Sequence, residues 1–89
     1  MAEQNANNVK AEEEYLAALE ESPDDPVVVF ALAKLYVSME EHEKAVERFD
    51  EFLTLTADDE FKWKDERWEA DFYLEKSKQE EEKSSRKKK

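Results

Sequence analysis

Shifted by 34 residues, the chain meets itself: Ala11 falls on Ala45, Tyr15 on Phe49, Ala18 on Phe52, Leu19 on Leu53 and Asp25 on Asp59. A period of that length means that distant stretches fold as copies of one local unit. Composition limits what the unit can be. The chain has no glycine, its only proline breakers are Pro23 and Pro26, and 44% of its residues are charged. That mixture suits long solvated helices and lacks the turn residues of a sheet. Eighty-nine residues leave room for one small domain with a thin core.

The periodicity predicts about four helices. From Asn8 to Glu21, the residues Ala11, Tyr15, Ala18 and Leu19 share one helix face opposite a glutamate-rich one. Pro23 stops that helix, Asp25 can cap the next, and Pro26 fits its first turn, where the missing N–H costs nothing. The second helix, Pro26 to Met39, is apolar nearly all round and calls for neighbours on more than one side. The third carries Ala45, Phe49, Phe52 and Leu53 and ends near Thr56, with Asp58 and Asp59 following as caps. The fourth is expected from Glu60, with Phe61, Trp63, Trp68, Ala70, Phe72, Tyr73 and Leu74, and to fray beyond Lys78. Residues 8–78 then form the helical domain, between a disordered start at 1–7 and a charged, disordered tail at 79–89.

Residues 26–59 resemble one complete tetratricopeptide repeat, a pair of antiparallel helices A and B. Leu32, Ala33 and Tyr36 match the family's leucine, small residue and tyrosine of helix A, and Ala45, Phe49 and Leu53 match helix B. Ala11, Tyr15, Ala18, Leu19 and Pro23 resemble a helix B without its helix A, and Trp63 the start of a helix A without its helix B. Val29 stands where the family prefers tryptophan, Glu40 in place of its turn glycine and Ala57 in place of its proline. The resemblance implies an all-α fold of stacked antiparallel pairs, an α-solenoid that acts as a protein-binding scaffold or adaptor.

Chemistry finds little support. There is no cysteine for a disulfide, a thiolate zinc site or a nucleophile, and His42 is the sole histidine. Without glycine no phosphate-cradling loop can form, and no stretch has calcium-loop spacing. The carboxylates are too many to single out a catalytic pair. No enzyme activity, cofactor or metal is expected. Residues 1–8 lack the pattern of a secretory signal and no apolar run spans a membrane, so a cytoplasmic setting is the default. Five of the fourteen positive charges fall in the last seven residues, and removing them from the total of −11 leaves −16 on residues 1–82. A body that acidic repels nucleic acids and anionic membranes.

The partner is therefore expected to be a protein or peptide. In the family, ligands lie against the A helices, and the resemblance places Val27, Phe30, Ala31, Lys34 and Val37 of the second helix there, with Phe61, Lys64, Asp65, Trp68 and Phe72 of the fourth. Phe30 and Ala31 replace two members of the set with which some relatives hold a terminal carboxylate, so no such clamp is expected. An amphipathic helix or an apolar peptide with acidic flanks suits the surface, anchored on Phe30 and Trp68 and oriented by Lys34 and Lys64. The half-repeats at both ends imply an alternative: self-association through exposed helix edges, or membership of a larger repeat assembly.

Overall fold

The computed structural model describes the backbone of residues 2–87 and the side chains of residues 7–82. Four helices follow one another: α1 (Ala2–Glu21), α2 (Pro26–Ser38), α3 (His42–Leu55) and α4 (Lys64–Lys87), with a 3-10 turn at Ala57–Asp59 between the last two. Among the described residues there is no strand. The all-α architecture of antiparallel pairs is the one the 34-residue offset implies. α3 packs between α2 and α4, and α1 rests on α2.

The corner between α1 and α2 forms as its residues dictate. Asp25 sits in extended backbone, and its Oδ1 accepts a hydrogen bond from the Val27 amide at 3.0 Å, while Pro26 takes the first helical position. The core that follows is a set of large and small residues in alternation. Val29, Leu32, Ala33 and Tyr36 of α2 meet Ala45, Phe49 and Phe52 of α3, and Ala70 and Leu74 of α4 close the other side. Ala33, Ala45 and Ala70 are fully buried, which lets the helix axes approach where the phenylalanines do not stand.

α2 ends in a left-handed residue. Glu40 has φ 60°, its amide donates to the Val37 carbonyl at 3.1 Å, and the Glu41 amide donates to the Tyr36 carbonyl at 2.9 Å. These two bonds are the Schellman closure that glycine normally serves. At the far end of α3, the buried Thr56 turns its hydroxyl back to the Phe52 carbonyl at 2.9 Å. Arg67 reaches over from α4 and donates to the Leu53 carbonyl and to Thr56 Oγ1, each at 2.8 Å. The last turn of α3, which has no following proline, is thus satisfied by a side chain from the next helix.

Three boundaries differ from the sequence reading. α1 is helical from Ala2 instead of Asn8, and α4 continues to Lys87 instead of fraying after Lys78. Neither stretch contains glycine or proline, and alanine, glutamate, glutamine and lysine favour helix locally. Met1, Lys88 and Lys89 lie outside the described residues. α4 begins at Lys64 instead of Glu60, because the 3-10 winding carries the chain through a further turn at 60–63. Trp63 therefore precedes α4, and its carbonyl accepts the Arg67 amide at 2.7 Å.

Candidate interaction surface

Among the described residues one ion pair links α2 and α4, Lys34 Nζ to Glu69 Oε2 at 3.0 Å. Lys34 also lies 5.3 Å from the centroid of the Phe30 ring. Phe30 itself turns inward: its ring is 4.8 Å from that of Phe52 and 6.1 Å from that of Phe49, so it forms the edge of the core. Val37 is half-buried and lines a recess of about 260 Å³ with Glu40, His42, Tyr73, Lys76, Ser77 and Glu80. The His42 Nδ1 atom is buried without a hydrogen-bond partner among the described residues.

The remaining residues expected in the groove are spread out. Val27 is exposed near the start of α2, and Ala31 is half-buried. Phe61 is 90% exposed in the turn before α4, with the Lys64 ammonium 5.8 Å from its ring, and Asp65 is exposed in the first turn of that helix. Trp68 and Phe72 stack as offset, nearly parallel rings, with centroids 5.9 Å apart and planes within 6°. They remain 70% and 51% exposed. On α4 the buried residues are Ala70, Leu74 and Ser77, whose spacing defines one stripe, and the spacing of Trp68, Phe72 and Gln79 puts them on the opposite face. Among the described residues neither ring of the stack touches Phe30. The structure thus brings together Phe30, Lys34 and α4 through Glu69, and separately Trp68 and Phe72.

Sequence reasoning passed over Glu69, Asp71, Glu75 and Lys76. Asp71, Glu75 and Lys76 border the open recess around Trp68 and Phe72. Their spacing of three, seven and eight from Trp68 was the available signal.

Electrostatically the clearest perturbation lies at the α1–α2 contact. The Tyr36 hydroxyl donates to Glu12 Oε2 at 2.8 Å. Burial, and then the bond to the Glu12 carboxylate, push the pKa of the phenol up to about 12. Among the described residues, no three histidines, cysteines, aspartates or glutamates gather into a metal-holding group. None of the described helices is long and apolar enough to cross a membrane.

A family model described as YpiA-like, tetratricopeptide repeats, matches residues 6–56. The match runs through most of α1 and all of α2 and α3, and it stops before α4. No curated protein and no solved structure matches the chain. The matched segment contains the buried Leu32, Ala33, Tyr36, Ala45 and Phe49 that carry the repeat pattern, and it exceeds half of the sequence. The chain belongs to the YpiA-like family of tetratricopeptide repeats.

Proposed function

We propose that this chain is a non-enzymatic interaction module that docks a helix or peptide of another protein on the open surface of α2 and α4. Proteins of this kind are helical-repeat scaffolds, and the family assignment supports an interaction role in general terms. The observation that carries the finer reading is the Trp68–Phe72 stack. Two large aromatic side chains stacked on one another and left mostly in water are what a partner's apolar residues bury against. Val27, near the start of α2, and Phe61, in the turn before α4, are further apolar side chains left exposed.

Affinity capture with the full chain tests the reading, beside a Trp68→Ala/Phe72→Ala variant whose melt is unchanged. A protein retained by the parent and lost by the variant is the expected result. Retention that ignores both substitutions sinks it. A second reading, a structural piece covered by copies of itself or by its own larger repeat assembly, is favoured by Val9 and Leu16 of α1, which are 50% and 36% exposed. Its measurement is the mass of the chain in solution across a concentration series.

A further inference from the structure

We infer that Trp68, Phe72, Asp71 and Glu75 form a receiving site for an arginine side chain on an amphipathic segment of the partner. This rests on the docking reading above and narrows it to one chemistry. Rings on this surface come with cations of their own: Lys34 over Phe30, Lys62 over Trp63, Lys64 over Phe61 and Lys76 over Phe72, at 5.3 to 5.9 Å. Trp68 is the exception. One side of its indole lies on Phe72, and among the described residues no lysine or arginine covers it. Indole is the strongest aromatic acceptor for a cation, and this one is 70% exposed.

The carboxylates complete the site. Asp71 and Glu75 follow Trp68 by three and seven residues, border the same open recess and are exposed. Among the described residues neither takes part in an ion pair. Lys76, the one cation at the recess, is placed over Phe72. A flat guanidinium can lie on the indole while its N–H groups reach a carboxylate at the edge, which a point-like ammonium does less well. The wider field agrees, since residues 1–82 carry −16. Lys34 has Glu69 and the Phe30 ring beside it and Lys64 has the Phe61 ring, whereas Asp71 and Glu75 have no ion-paired cation among the described residues, so this recess favours a cationic side chain over the acidic flanks expected at those lysines. The chain's own basic stretch, residues 83–89, has no apolar residue to lie on Phe72, and two copies of a chain with charge −11 repel. A cationic partner with apolar anchors fits where these do not.

The test is a titration of the isotope-labelled full chain with synthetic amphipathic helices of leucine and arginine, with lysine or glutamate replacing arginine in sister peptides. The expected result is a shift of the Trp68 indole N–H by the arginine peptide, and a loss of affinity of roughly tenfold or more for Asp71→Asn/Glu75→Gln. A control pair on α1, Glu13→Gln/Glu20→Gln, should change affinity by less than about twofold. Equal losses for the two pairs would reduce the effect to diffuse attraction and overturn the site. Equal binding of the glutamate peptide would also overturn it, while leaving apolar docking intact. If no peptide moves the Trp68 signal, both readings fall. Sedimentation showing a dimer that buries Trp68 would assign the surface to a second copy instead.

Discussion

The hydroxyl of Tyr36 in α2 donates to the carboxylate of Glu12 in α1 across 2.8 Å, joining the first helix to the complete repeat. Because burial and that bond push the phenol's pKa up to about 12 against an ordinary value near 10, the folded chain holds the proton where the unfolded chain has lost it. The stabilisation is complete below about pH 10 and drains away towards pH 12, with a slope approaching about 1.4 kcal/mol per pH unit. Urea midpoints of the parent and of Tyr36→Phe should therefore converge as pH rises through that window. A constant gap between them would show that the phenol titrates normally.

Glu40 holds φ at 60°, a conformation that costs a side chain and suits glycine. Glu40→Gly is expected to stabilise by a few tenths to about 1 kcal/mol, after its larger unfolded-state entropy is set against the relieved strain. A thermal melt checks the sign, and a lower midpoint would contradict the closure described for α2.

Arg67 supplies two hydrogen bonds to the end of α3, to the Leu53 carbonyl and Thr56 Oγ1. Arg67→Met should cost roughly 1–3 kcal/mol, because acceptors at a partly buried site lose their donor. Arg67→Lys should recover part of the loss, since one terminal nitrogen makes both bonds and an ammonium on a shorter side chain can replace it only if it reaches as far. In a domain of this size the methionine variant would melt on the order of 4–8 °C lower per kcal/mol.

The resemblance sets Phe30 and Trp68 together as anchors, whereas Phe30 packs at the edge of the core and Trp68 stands on the exposed face of α4. Phe30→Ala should cost about 2–4 kcal/mol of folding, because its ring packs on Phe49 and Phe52. Trp68→Ala, on the open face, should change stability by no more than about 0.5–1 kcal/mol. Chemical denaturation of both variants decides the matter, and similar losses would place Trp68 in the core.

Residues 2–7 and 79–87 carry no large apolar side chain in the sequence, and a helix with little apolar surface to bury is marginal in water. Amide exchange is expected to be fast there and slow in α2 and α3. Protection of residues 79–87 matching that of α3 would mean that the basic end is docked.

Much of the repeat was legible because its determinants are local. Asp25 and Pro26 specify the corner by themselves, and Glu40, standing where the family has its turn glycine, marks the left-handed residue. The path from α3 to α4 was not legible in the same way, since it depends on Arg67 reaching back eleven and fourteen residues to Thr56 and Leu53. The orientation of α4 was obscured for a different reason. The resemblance sets its large aromatics, Trp68 and Phe72, on the ligand side, but the buried stripe is made largely of small residues, Ala70 and Ser77 with Leu74 between them, and is not the most apolar face of the helix. Periodicity identifies which residues share a face but not which face a neighbour covers, and close helix approach selects the small ones.

The ion pair between Lys34 and Glu69 works as a reversible cover. Both side chains are partly in water, at 43% and 35% exposure, and pairs of that kind hold with no more than about 1 kcal/mol. Opening it costs an approaching ligand little, and it releases one charge of each sign beside Phe30.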